Sequence, residues 1–350
     1  MSPESAKSPL RICTRKSPLA MWQAETLQAL LAARGVATEL VPLSTKGDRV
    51  LDRALSEVGG KGLFVKELEE ALLDGRADVA VHSAKDVPFA LEDRFVLCAF
   101  PLREDPRDAL VAPAARTFAH LPQGARVGTS SLRRAVQLLQ VRPDLQIVPV
   151  RGNVATRLSR ATGVRADGSS VDAAERLDAV VLALAGLRRL GLDSHATDLL
   201  SVELSLPAAG QGALALEVAR GSRAEAICAA LNDEKIARCV RAERAVLAHL
   251  GGSCTVPVGA HALLETAGDG SSQLFLRAVL GGASSGDTRA LASGSIRLLR
   301  AEGRGPAEQP EALGVRIAEQ LLAQGGGAML AASAAGAAGL PAPKRSGETP

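Results

Sequence analysis

Over the first two-thirds of the chain, short apolar runs alternate with amphipathic stretches, the pattern of βα units wound into mostly parallel sheets. Leu10 to Thr14 reads as a strand, followed by a helix from about Pro18 to Ala33 that stops at Gly35, and by a strand from Thr38 to Ser44. Phe64, Leu68 and Leu72 share one helical face ahead of Gly75, and Ala77 to His82 has the apolar character of a buried strand. The chain then turns polar at Arg103-Glu104-Asp105-Pro106-Arg107-Asp108, which predicts a crossing between domains. A second series follows: strand Arg126 to Gly128, a helix from about Ser131, strand Gln146 to Val150, a helix from about Asn153, and strand Ala179 to Leu184. The polar stretch Arg165 to Glu175 between the last two predicts a surface loop. Ser205 to Gly212 is a second crossing, punctuated by Gly and Pro, and Ala213 to Val218 another strand. The last third changes character. A helix from Asp233 to Leu250 precedes Gly251-Gly252-Ser253-Cys254, and segments such as Thr255 to Ala260 and Gln273 to Val279 alternate like antiparallel strands before a closing helix at about Glu311 to Ala323.

In open α/β sheets, ligands gather at the carboxyl ends of the strands, where loops and helix N-termini present N–H groups. Five successive strand ends here carry hydroxyls, basic residues or both. They hold Arg15, Lys16 and Ser17; Ser44 to Arg49; Ser83 and Lys85; Thr129, Ser130 and Ser131 with Arg133 and Arg134; and Arg151, Asn153 and Arg157. Thr129-Ser130-Ser131 alone could be a capping cluster. The joint pattern implies a cleft for a ligand with several negative charges, since cations near helix N-termini call for an anion. Asp86 is the lone acid among these bases: it either pairs with Lys85 or an Arg, or steadies a cationic intermediate. His82 has no matching nucleophile and reads as structural. Cys254, on a glycine-rich turn, is either one more inert thiol or a site of covalent chemistry. Gly59-Gly60-Lys61-Gly62 lacks Walker spacing and suits a mobile flap or a plain loop.

Composition narrows the classes. The 350 residues suggest two or three domains, at roughly 100–200 residues each. A net charge of +3, one Trp, six Phe and no Tyr disfavour a nucleic-acid binder that works by stacking. Of 41 basic residues 33 are Arg, whose planar fork matches carboxylates, although coding bias accounts for an Ala- and Gly-rich chain equally well. No N-terminal apolar signal is present, and the charge-free run Leu321 to Pro343 is too poor in large side chains for a membrane span. Five widely spaced cysteines without a CxxC suit a reduced cytosol and point to no metal site.

Six ordered motifs then carry a resemblance. Val58 to Glu69 (VGGKGLFVKELE), Val81 to Pro88 (VHSAKDVP), Arg103 to Asp108 (REDPRD), Gly128 to Arg134 (GTSSLRR), Arg151 to Val154 (RGNV) with Arg157, and Gly251 to Cys254 (GGSC) together resemble the porphobilinogen deaminase, or hydroxymethylbilane synthase, family from about Leu10 to Leu330. The resemblance implies an α/β fold of two periplasmic-binding-protein-like, doubly wound domains plus a small C-terminal α+β domain. The boundaries that follow are 9–102 with 211–230, then 107–206, then 233–331, with 332–350 as a flexible tail.

It also implies a cytoplasmic, monomeric transferase of tetrapyrrole and haem biosynthesis. Such an enzyme joins four porphobilinogen molecules head to tail, with loss of ammonia, on a dipyrromethane held by a thioether to the motif cysteine, here Cys254. By the same resemblance Asp86 is catalytic, steadying an azafulvene-like cation. Ser83, Lys85, Thr129, Ser130, Ser131, Arg133, Arg134 and Arg151 hold the cofactor, while Arg15, Ser17, Arg151 and Arg157 hold the substrate and growing chain. Lys61 belongs to a flexible loop. The stretch from Thr162 to Glu175 and the tail after about Ala331 exceed the family pattern. The competing reading is a non-catalytic two-lobe binder of a polyanion, which would need neither Cys254 nor Asp86.

Overall fold

The computed structural model describes residues 8–44, 65–251, 256–283 and 296–331. Thr45 to Arg49, the Gly59–Gly62 loop with Lys61, Phe64, Cys254 and the tail from residue 332 therefore lie outside the described residues.

The first sheet contains β1 (Leu10–Arg15), β2 (Thr38–Leu43), β3 (Val79–Ser83), β4 (Phe95–Ala99) and β10 (Leu214–Ala219), ordered β2-β1-β3-β10-β4. The second contains β5 (Asp108–Val111), β6 (Arg126–Gly128), β7 (Gln146–Val148), β8 (Ala179–Ala183) and β9 (Asp198–Leu199), ordered β7-β6-β8-β5-β9. β1 pairs in parallel with β2 and β3, and β6 with β7 and β8. β10 is antiparallel to both its neighbours, and so is β5. Each sheet thus holds one reversed strand, which the alternating pattern does not reveal. Both reversed strands are the first laid down after the chain crosses between lobes. A chain arriving from the other lobe enters at the end where the remaining strands finish, so it can only run back. The crossings at 100–107 and 200–213 therefore lie at the carboxyl ends of both sheets, where ligands collect.

Helix starts follow local chemistry. α1 (Pro18–Ala32) has Ser17 as N-cap and Pro at its first turn. α2 (Lys66–Leu73) buries Leu68, Ala71 and Leu72 and is followed by left-handed Gly75. α3 (Leu132–Val141) is capped by Ser131, and α4 (Val154–Thr162) by Asn153, ending at left-handed Gly163. α5 (Leu184–Arg189) and α6 (Arg223–Ala229) are short and carry little periodicity, and the sequence reading passed over both. The polar stretch after α4 is an exposed excursion, pinned by the Val164–Ser170 bridge and by Arg160 and Arg165 on Glu175.

The third unit is an antiparallel sheet of β11 (Val258–Thr266), β12 (Ser272–Ala283) and β13 (Ile296–Pro306), with α7 (Glu234–His249) and α8 (Pro310–Leu321) packed on it. α7 begins at Asp233, whose carboxylate accepts from the N–H groups of Lys235 and Ile236. Its other face packs on the first lobe, where Ala237 and Val240 join Ala84, Val87, Phe100, Ala213 and Ala215 in one apolar cluster.

Candidate active site

The strand ends deliver the residues the sequence singled out, in two groups with different surroundings. On the first lobe, Arg15 closes β1, and Ser17 caps α1, accepting from Ala20 N at 3.4 Å. Ser83 closes β3 and accepts from Gln23 Nε2 at 2.7 Å. Ala84–Asp86 forms one 3-10 turn that leaves Lys85 and Asp86 open to solvent. On the second lobe, Thr129 Oγ1 accepts from Ser131 N, Ser130 Oγ donates to Val150 O, and Ser131 caps α3. Each of these hydroxyls has a local backbone or side-chain partner, so the capping account of the cluster holds as far as it goes.

Arg133 and Arg134, the first-turn arginines of α3, are both almost fully buried. Their anion comes from within the protein. Asp108 Oδ2 receives Arg133 Nη1 at 2.9 Å, and Oδ1 receives Arg134 Nη2 at 2.7 Å. Ser205 Oγ and Gln211 Nε2 add hydrogen bonds to the same carboxylate, each at 2.8 Å. Burial alone would raise the Asp108 pKa, but the two guanidiniums outweigh it and hold the carboxyl well below its usual range. Asp108 was read from sequence as part of a polar crossing; it is instead the fully buried first residue of β5. Arg133 also donates to Leu206 O and Arg134 to Val181 O, leaving Arg134 Nε buried without a partner. Most of the donor capacity of these two residues is thus turned inward, away from a ligand.

The remaining cations face the cleft. Lys85 donates to Gln211 Oε1 at 3.3 Å, and Gln211 in turn reaches Asp108, which ties the two lobes together. Lys85 is reachable by water yet walled in by protein. Burial lowers its pKa to about 8, with Arg134 and Arg133 lowering it further and Asp86 and Asp108 opposing. Arg157 donates through Nε to Gly152 O, and its pKa is lowered by burial and by repulsion from Arg134 and Arg151, with Asp86 opposing. Among the described residues Arg151 has no hydrogen bond or ion pair. Lys85 of one lobe is therefore felt by Arg134 of the other, and Asp86 by Arg157, which Arg151 repels in turn: one cleft, with an excess of cations and one open carboxylate. Cations that depress each other's pKa are relieved by bound anions, so this donor set fits a ligand rich in carboxylates.

Five residues outside those singled out from sequence belong here. Gln211 couples Lys85 to Asp108; a Gln between two glycines in a crossing gave the only signal, its place at the carboxyl ends of the sheets. Gly210 (φ +74) and Gly212 (φ +86) let this crossing approach: a Cβ at Gly212 would stand 2.3 Å from Glu104 O, and one at Gly210 2.9 Å from Ala84 Cβ. Arg189, last residue of α5, is buried, lies over the Trp22 ring at 5.3 Å, and donates to Gly212 O. Burial lowers its pKa to about 10, and its Nε has no partner. Glu243 on α7 accepts from Arg103 at 2.8 and 3.1 Å, from Gly210 N and from Ala262 N, joining the third unit to the crossing.

Among the described residues no cluster of His, Cys, Asp and Glu is arranged to hold a metal ion. No described helix is long and apolar enough to cross a membrane.

Comparison with known proteins gives a consistent result. Residues 10–226 match the model of the porphobilinogen deaminase dipyromethane cofactor binding domain, and residues 237–323 the model of the porphobilinogen deaminase C-terminal domain. A porphobilinogen deaminase from Syntrophotalea carbinolica is 49% identical over 330 residues, covering 93% of this chain and 96% of that protein. One from Xanthomonas oryzae pv. oryzae is 48% identical over 327 residues, covering 92% and 99%. Among solved structures, an ABC-transporter periplasmic substrate-binding protein from Coxiella burnetii aligns with 63% of this chain and 91% of its own, at 15% identity and a TM-score of 0.40. Two family models that together span nearly the whole described chain, and relatives near half identity over nine-tenths of it, settle the kinship: this chain belongs to the porphobilinogen deaminase family.

Proposed function

We propose that this protein joins four porphobilinogen molecules head to tail into linear hydroxymethylbilane, releasing one ammonia at each addition. The observation that carries the reading is the cleft itself, where the open carboxylate of Asp86 acts on Lys85 of its own lobe and on Arg157 of the other, which Arg151 in turn repels. Each pyrrole brings an acetate and a propionate, so substrate and growing chain supply the anions that these cations lack.

In this reading Lys85, Arg134 through Nε, Arg151 and Arg157 hold side-chain carboxylates, with Thr129, Ser130 and Ser131 beside them. Arg15 and Ser17 take the incoming porphobilinogen, and Ser83, beside Lys85 at the strand end, is a further contact to the cofactor. Arg133 acts one step back, fixing α3 through Asp108. A dipyrromethane held by Cys254 would supply the nucleophilic pyrrole carbon for chain growth. The Asp86 carboxylate accepts hydrogen bonds from pyrrole N–H groups and offsets the positive charge left on porphobilinogen as ammonia departs. A fixed carboxylate beside a developing cation is electrostatic preorganisation, and it needs no motion at the moment of reaction. Domain boundaries of 9–102 with 211–230, 107–206 and 233–331 are consistent with the two crossings. A cytoplasmic monomer fits the reduced-thiol reading of the cysteines.

The test is the intact mass of purified, active protein. The expected result is an excess over the sequence mass equal to one dipyrromethane, located on the peptide that contains Cys254. Active protein of unmodified mass would overturn the assignment.

A further inference from the structure

The turn that carries Asp86 is braced by α7 of the third unit. β3 ends at Ser83, and the residue before it, His82, places Nε2 2.8 Å from Glu217 Oε2 of β10; their side chains are 5% and 0% exposed. Three residues after β3, Asp86 closes the 3-10 turn, and the next three carbonyls are all taken by one side chain. Arg244 of α7 donates to Val87 O at 3.1 Å, to Pro88 O at 2.6 Å and to Phe89 O at 3.3 Å. Glu217 also attracts the Arg244 guanidinium through space, against the burial that lowers the Arg244 pKa to about 10. The segment from His82 to Phe89 is therefore gripped at its end by Arg244, with Asp86 just ahead of that grip. The middle is backed as well: Ala84 N donates to Ala213 O, and Gly210 packs against Ala84.

Arg244 also has an origin that matters. It stands on α7, which ends at His249, and the chain continues through Leu250 and Gly251 to residues 252–255, Cys254 among them. One helix thus holds the turn of the open carboxylate and leads to the anchoring cysteine. Arg103 and Gly210 bind Glu243, the residue beside Arg244, so the helix cannot shift along the first lobe without breaking that contact too.

We propose that Arg244, through its three hydrogen bonds to the carbonyls that follow Asp86, is a positioning residue that sets Asp86 against the bound pyrrole. The proposal rests on the catalytic reading of Asp86. Its chemistry is directional. A guanidinium can serve three neighbouring carbonyls at once because its donors lie in a fixed plane, whereas an ammonium is a point charge on a flexible stem. Charge alone is therefore not the requirement, and an Arg-to-Lys exchange should recover only part of the function.

The test uses the complete, cofactor-loaded protein and compares Arg244→Gln and Arg244→Lys with the parent. A displacement of about 1 Å at reacting groups costs on the order of 100-fold in rate. Arg244→Gln is expected to lose about 30- to 100-fold in kcat with KM for porphobilinogen changed less than about threefold, with Arg244→Lys in between. Both should keep the dipyrromethane mass. The decisive readout is a double-mutant cycle with Asp86→Glu, which moves the carboxylate by one methylene. If Arg244 acts through Asp86, Arg244→Gln adds little to the loss already caused by Asp86→Glu, and the effects are strongly non-additive. Additive effects, or a kcat within about threefold of the parent in Arg244→Gln, would overturn the proposal. Normal turnover in Asp86→Glu and Asp86→Asn would instead overturn the reading beneath it, so the two failures are distinguishable. Should Arg244→Gln fail to fold, the partial loss in Arg244→Lys and its cycle with Asp86→Glu decide the matter alone.

Discussion

Asp86 closes the turn after β3 and Asp108 opens β5, and both are felt by the same Lys85 at the meeting of the two lobes. Asp108 is fully buried, with two guanidiniums, a hydroxyl and an amide on its two oxygens. Asp86 is open to solvent and accepts no hydrogen bond from any described side chain. The cations divide the same way. Arg133 and Arg134 are turned onto Asp108, whereas no described carboxylate accepts a hydrogen bond from Arg151 or Arg157. A carboxylate whose lone pairs are filled by the protein holds the lobes in register. One whose lone pairs are left open can do chemistry.

The sharpest way to break this contrast is to neutralise each acid in turn. Asp86→Asn keeps the shape and removes the charge, so turnover should fall by at least about 10²- to 10³-fold, the scale seen when a preorganised electrostatic contact is lost. Its thermal midpoint should stay within a degree or two of the parent. Asp108→Asn should do the reverse, leaving two buried guanidiniums short of their counter-ion and costing about 3–5 kcal/mol of stability. The sign with pH follows from the depressed Asp108 pKa. Its contribution is complete above the unfolded carboxylate value of about 3.9 and is lost as pH falls through the lower folded value, an acid limb the Asn variant should lack. Asp86→Asn protein that turns over normally, or Asp108→Asn protein as stable as the parent, would erase the distinction.

That distinction was not legible in the sequence, although much else was. The strand ends, the Ser131 and Asn153 caps and the polar excursion at 165–175 follow from local pattern, because caps and periodicity act within a few residues. The reversed strands β5 and β10 do not, since their direction depends on where the chain re-enters a sheet. Asp108 was hidden for the same reason. Surrounded by Arg, Glu, Asp and Pro in sequence, it looks like surface, and only its pairing with arginines 25 and 26 residues on makes it core. Gln211 and Arg189 gain their roles across lobes and carry no local signature beyond their place after a strand or in a crossing.

A smaller effect separates the open cations from those on the periphery. Arg157 lies in the cleft, where Asp86, Arg134 and Arg151 all act on it. Arg316 sits on α8, where it donates to Arg304 O of β13. Truncating Arg157 to Ala should raise KM for porphobilinogen or stall chain growth by about ten- to a hundredfold, as for a charge-assisted contact of roughly 1.5–3 kcal/mol. Arg316→Ala should stay within about twofold by the same assay. Equal losses would mean that the cleft does not lie between the two lobes.

The gentlest probe is pH, through Lys85. With its pKa lowered to about 8 against an unfolded value of about 10.4, the group is only about one-tenth charged at pH 9. Between those limits the unfolded chain holds more of this proton, so the contribution of Lys85 to folding stability becomes more favourable with rising pH. Anion binding runs the other way, because the cation is what binds. Bound carboxylates would draw the pKa back up, so the effect belongs to protein that cannot carry the dipyrromethane, such as Cys254→Ala. Porphobilinogen binding to that protein, followed by calorimetry, should weaken about three- to tenfold between pH 7 and pH 9. Lys85→Arg in the same background should remove most of that decline, since a guanidinium keeps its proton throughout. An identical decline in both proteins would place Lys85 with the inward-turned cations around Asp108 rather than with Arg151 and Arg157.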